Sequence, residues 1–160
     1  MLKLVERILG TLSILSFTGV IIVVTVQILS RFLPFSYVWT EELTRYLFLF
    51  AISFGTPLAL MRNEYINVDL LINKMKGSVR KFYDIGIYIV ILILTLVIAN
   101  EGYKFMLLGH NQQAATLPIQ MSVVHASIFF MGLFISIFSV IKIVKLIQNK
   151  EPYVDGSEEE

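Results

Sequence analysis

The chain contains no cysteine. That excludes disulfides, thiol redox chemistry, thiolate metal sites and iron–sulfur clusters, and it leaves the compartment open. Charge is also scarce: Asp, Glu, Lys and Arg make up 16% of the residues, against roughly 25% in soluble domains. The formal net charge is +1, so the composition points to no nucleic-acid partner. Of the two histidines, His110 and His125 would lie about 22 Å apart along a continuous helix, and Pro118 interrupts the segment between them. A shared haem is therefore disfavoured, and His125 is expected to be a hydrogen-bonded packing residue. No catalytic set emerges, no pair of broken helices marks a substrate site, and there is no internal repeat.

What the chain has in abundance is apolar sequence, 56% of the total, gathered into long runs. Such runs predict transmembrane helices and not a soluble core. The expected fold is an all-α membrane protein with four spans, at about 8–29, 39–61, 82–108 and 119–147. Each meets the roughly 20 residues needed to cross about 30 Å of hydrocarbon. The third and fourth exceed it and are expected to tilt or to extend past the bilayer. Residues 1–150 thus form one four-helix transmembrane domain. The acidic tail, 151–160, is expected to be disordered. Lys3 and Arg7 precede the first run in the manner of a signal peptide. The run is too long for a signal core and Val24–Gln27 is not a small-residue cleavage site, so a retained helix is expected.

Lysine and arginine set the orientation. Lys3 and Arg7 precede span one; Arg62, Lys74, Lys76, Arg80 and Lys81 lie between spans two and three; Lys142, Lys145 and Lys150 close span four. Both termini and the middle link are therefore expected in the cytoplasm. The loops at 30–38 and 109–118 are expected to face outward.

Span two opens with charge. Thr40 is placed to cap the helix, with Glu41 and Glu42 in a first turn that favours carboxylates. Arg45 follows Glu41 by four residues and Glu42 by three, both spacings that bring a base beside an acid. Tyr37 and Trp39 fit an interfacial aromatic belt. This arrangement either caps the helix and neutralises its own rim or leaves one acid, or Arg45, for another polypeptide. A proton or cation site would need further intramembrane acids. Deeper in the span, Ala51, Gly55 and Ala59 recur every four residues and make a groove that admits another helix. Pro57 removes a backbone donor and should kink the helix near Ser53.

The link after span two reads as a short amphipathic interfacial helix at about 67–76. Asn67 can cap it, Asp69 sits in its first turn and Gly77 can end it. Val68, Leu71, Ile72 and Met75 share one face, so the helix either anchors in lipid or also grips a partner. In span three, Asp84 suits a helix N-terminus, and Glu101 and Lys104 are spaced for an ion pair. Pro118 is expected to open span four.

The runs WTEELTRY and FGTPLALMRNEYINVDLL, followed by Leu117–Ile119, resemble the signature of the DctQ family. These are the small membrane subunits of tripartite ATP-independent periplasmic (TRAP) transporters. The positions that carry the resemblance are Trp39, Glu41, Glu42, Gly55, Arg62, Ile66, Val68 and Asp69. A histidine often precedes the isoleucine of that element; here the residue is Tyr65, and no role is assigned to it. The resemblance extends over all four spans, and its specific part is about thirty residues.

The resemblance implies a large multispan partner subunit that carries the substrate and sodium sites. It also implies a soluble periplasmic binding protein that delivers an organic acid, such as a C4-dicarboxylate or a sialic acid. The large subunit would work like an elevator and the small one would extend its fixed scaffold in the bacterial inner membrane. No enzyme activity and no cofactor are expected on this chain itself. Some relatives fuse the two subunits, and a chain ending at Glu160 is expected to be unfused. Two other functions fit four apolar helices: an anchor subunit of a haem or quinone redox complex, and a small homo-oligomeric transporter acting alone. The first is disfavoured by the single intramembrane histidine, the second by the lack of charge in mid-span.

Overall fold

The computed structural model describes residues 2–32, 37–62 and 78–148. Four helices in it are long and apolar enough to cross a membrane. They are α1 (Leu2–Ser30), α2 (Trp39–Met61), α3 (Ser78–Leu108) and α4 (Met121–Ile147), with a 3₁₀ turn at Gly109–Asn111 after α3. The expected interfacial helix, with Val68, Asp69, Leu71, Ile72 and Met75, lies outside the described residues, as does the acidic tail.

The apolar runs locate every span, and helix ends differ where polar turns are added. α1 and α3 begin before the apolar runs at 8 and 82, because charged residues continue a helix as readily as apolar ones once it is nucleated. Asp84 therefore lies well inside α3, whose first turn holds no acid. Pro118 does not open α4. The helix starts at Met121, and residues 112–120 instead form a small hairpin closed by an antiparallel bridge between Gln113 and Gln120. The Ala114 and Met121 amides donate to the Ile119 and Gln112 carbonyls, each at 2.9 Å. Those bonds fix the loop on the chain side of Pro118 and delay the helix. α2 runs unbroken through a buried Pro57.

Substantial packing among the described helices is confined to three pairs, α3 on α4, α1 on α2 and α2 on α4. The helices therefore stand in a row, α1–α2–α4–α3, and not in a closed ring. The middle helices bury more of their surface than the flanking ones. The row still gathers one core. Leu9, Leu60, Ile135 and Phe138 are buried together, and Phe54, Tyr88, Met131 and Phe134 pack against them.

Hydroxyls inside the spans are satisfied mostly by their own helix. Thr44, Thr56, Thr95 and Ser136 each donate to the carbonyl four residues earlier, at 2.7–2.8 Å. Hydrocarbon offers no alternative acceptor, so back-bonding of this kind is how a hydroxyl is carried across a bilayer.

Candidate subunit interface

The charged opening of α2 is resolved by two separate sets of bonds. Arg45 donates to Glu41 at 2.7 Å, one helical turn apart. It does not sit between both acids as the spacing allows, because Glu42 is turned toward the loop before α4. There the Glu42 carboxylate accepts the backbone N–H groups of Ala115 at 2.9 Å and Thr116 at 2.7 Å. It also accepts the Thr116 hydroxyl and, at 2.5 Å, the Tyr46 hydroxyl. An ionised carboxylate has about four acceptor positions, so these donors saturate it. The acid left over by Arg45 is thus used inside the chain, tying the start of α2 to the hairpin. This contact also shows that α2 and α4 start at the same end of the row, here termed the loop end. The sequence held the components but not the pairing, since Glu42 and Thr116 are far apart along the chain.

Thr40 does not cap α2. The N-cap is Val38, which makes no side-chain cap bond. Thr40 lies inside the first turn, so its hydroxyl reaches back and donates to the Tyr37 carbonyl at 2.6 Å. Trp39 meets Tyr37 edge-on, with ring centroids 6.2 Å apart.

The small-residue groove on α2 is occupied from within. Ser13 of α1 donates its hydroxyl to the Ala51 carbonyl at 3.0 Å. A Cβ added at Gly55 would stand 3.1 Å from the same Ser13 oxygen. Ala51 is buried, and Gly55 and Ala59 are half-buried. The stripe is therefore the seat of α1, at least along Ala51 and Gly55.

A tighter seam, between α3 and α4, went unread in the sequence. A Cβ at Gly132 would fall 2.9 Å from the Ala99 backbone nitrogen, and one at Gly102 would fall 3.1 Å from that of Phe129. The Ser136 and Thr95 hydroxyl oxygens lie 3.0 Å apart in the same seam. The readable signal was the paired spacing Thr95–Ala99 and Gly132–Ser136, two small residues four apart on each helix. His125 closes the loop end of this seam. Its Nδ1 lies 3.1 Å from the Phe105 carbonyl, which only accepts, so Nδ1 carries the proton. The ring stacks on Phe105 at 3.7 Å between centroids. This is the packing role expected of it.

At the opposite end, where α2 enters the link, Arg62 bonds Glu6 of α1 at 3.1 Å. Glu6 was not singled out in the sequence, since nothing local marks a partner that comes from another helix. Glu101 and Lys104 pair at 2.7 Å as their spacing predicts. Lys142, read as a flanking charge, is 3% exposed and engaged within the protein. Among the described residues no group of three or more His, Asp or Glu side chains could hold a metal ion.

Four helices long and apolar enough to cross a bilayer define a multispan membrane protein. Residues 20–149 match the family described as tripartite ATP-independent periplasmic transporters, DctQ component. The chain belongs to that family, whose members are transport components and not enzymes. It is 29% identical over 144 residues to the "Putative TRAP transporter small permease protein" of Haemophilus influenzae strain Rd, covering 88% of this chain and 87% of that protein. It is 32% identical over 103 residues to the "Sialic acid TRAP transporter permease protein SiaT" of Haemophilus influenzae strain 86-028NP, covering 64% of this chain. The matched part is 16% of the length of SiaT.

Proposed function

We propose that this chain is the static scaffold subunit of a sodium-coupled importer of organic acids. It pairs with a large multispan subunit that carries the sodium and substrate sites and moves. A periplasmic binding protein delivers the substrate, of the C4-dicarboxylate or sialic-acid class. The complex sits in a bacterial inner membrane, with both termini of this chain and the link at 63–77 in the cytoplasm. The link contributes an interfacial helix at 67–76, with Val68, Leu71, Ile72 and Met75 in lipid.

The observation that carries the scaffold role is where the polar groups go. Glu42 bonds the α3–α4 hairpin, Arg62 of α2 bonds Glu6 of α1, and the Thr95 and Ser136 hydroxyls meet between α3 and α4. Groups held in this way fix helices; a moving substrate site needs groups that exchange partners. The family supports the pairing with a large subunit, and the likeness to a sialic acid permease supports the substrate class.

The test is radiolabelled organic-acid uptake in cells that carry the large subunit and the binding protein, with and without this chain. Uptake should require this chain and a sodium gradient. Full uptake after its deletion would contradict the scaffold role. Uptake by this chain alone in liposomes would instead favour a self-sufficient transporter.

A further inference from the structure

We propose that the large subunit lays a transmembrane helix along the stripe of α2 formed by Glu41, Arg45, Phe48 and Ile52. The proposal rests on the subunit reading above and adds the face and the chemistry of contact. At about 100° per residue these positions fall within roughly a sixth of the helix circumference, and all four are exposed. Other sides of α2 are taken. Ala51 meets α1, and Tyr46, Ser53, Pro57 and Leu60 are buried within the chain.

The stripe differs in chemistry from its counterpart on α4. There the exposed positions are Val123, Phe130, Leu133, Ile137, Val140, Val144 and Ile147, an all-apolar set that suits lipid. α2 is the least apolar of the four helices. Its stripe carries the Arg45–Glu41 pair with side chains 70% and 63% exposed. Arg45 lies about 9 Å deeper than Trp39 at 1.5 Å per residue. Since Trp marks the interfacial belt, the guanidinium starts from the edge of the hydrocarbon. A charge pair facing lipid there is unfavourable, and one facing a polar protein surface is not. The charges also have a fixed order, acid nearer the loop end and base deeper. A matching helix presents a base opposite Glu41, an acid or free carbonyl opposite Arg45, and small or aliphatic residues where Phe48 and Ile52 insert.

The test places a photoreactive p-benzoylphenylalanine at Phe48 or Ile52 of α2, and at Leu94 of α3 or Ile137 of α4 for comparison. Each variant is co-expressed with the large subunit and irradiated in native membranes. Positions 48 and 52 should give an adduct with the large subunit, identified by mass spectrometry, and positions 94 and 137 should give lipid adducts. Large-subunit adducts from 94 or 137 with only lipid adducts from 48 and 52 would overturn the assigned face and leave the subunit reading standing. Adducts with a second copy of this chain at 48 and 52 would overturn the assigned partner. Absence of large-subunit adducts from every position, with no co-elution of the two proteins, would overturn the subunit reading as well.

A second variant removes dependence on the probe. Glu41→Arg combined with Arg45→Glu keeps a local ion pair but reverses its order. The chain should still insert, at a level comparable to the native protein, and lose co-elution with the large subunit. Unchanged co-elution would mean that the pair serves the helix alone and would overturn the charge matching.

Discussion

Where α3 meets α4, backbone meets backbone; where α1 meets α2, the tips of side chains meet glycine. Cβ atoms added at Gly132 and Gly102 would run into the Ala99 and Phe129 main chain. Cβ atoms added at Gly19 and Gly10 would meet the methyl groups of Leu47 and Leu58, at 3.1 and 3.6 Å. A leucine tip can turn aside into another rotamer, and a helix backbone cannot. The α3–α4 seam is therefore the fixed half of the row. The α1–α2 seam is adjustable and relies on the Ser13–Ala51 bond and the Glu6–Arg62 pair for its register.

Substitution should separate the two seams. Gly132→Ala should destabilise the detergent-solubilised protein by about 1–3 kcal/mol, the usual range for overpacking. Gly109→Ala should act in the same range, since its Cβ would lie 2.6 Å from the Ser122 nitrogen and 2.7 Å from His125 Nδ1. Thermal denaturation of purified variants reads both. A change below about 0.5 kcal/mol at Gly132 would mean that the seam is looser than its geometry.

Next in size is the link between the halves. Glu42→Gln turns an acceptor-only group into one with two donors, which then face the Thr116 amide. Hydrogen exchange at Ala115 and Thr116 should accelerate while exchange in the middle of α4 stays unchanged. Equal protection in both proteins would show that the hairpin holds itself.

Smaller still is Gly19→Ala, which should cost less than about 1 kcal/mol because Leu47 can repack. A loss as large as that at Gly132 would erase the distinction between the seams. The smallest effect is expected at Ser139, a fully buried hydroxyl with no hydrogen-bond partner among the described residues. Ser139→Ala should be neutral or stabilising by up to about 1 kcal/mol, since it removes an unpaired polar group. Clear destabilisation in the same melt would reveal a bond to Ser139.

The same contrast explains what could be read from the sequence. Span number and approximate position were legible, because crossing hydrocarbon demands a run of apolar residues wherever the chain goes. Pairs within one helix were legible too: Arg45 with Glu41 and Lys104 with Glu101 follow from helical spacing. Contacts between helices were not. Glu42 with Thr116, and Glu6 with Arg62, join residues whose proximity depends on the order of helices in the row. The stripe at Ala51 and Gly55 was legible as a groove, while its occupant, Ser13, was not. Thr40 has the side chain of a cap, but the helix begins at Trp39, two residues earlier than capping by Thr40 requires.

A fixed subunit that stands beside a larger moving one should stay bound to it when the membrane is dissolved. The most direct measurement is co-elution of the affinity-tagged full-length chain with the large TRAP subunit after extraction in a mild detergent. A single complex of constant stoichiometry through size exclusion is predicted. Elution of this chain by itself, with the large subunit separate and still active in uptake, would contradict the account.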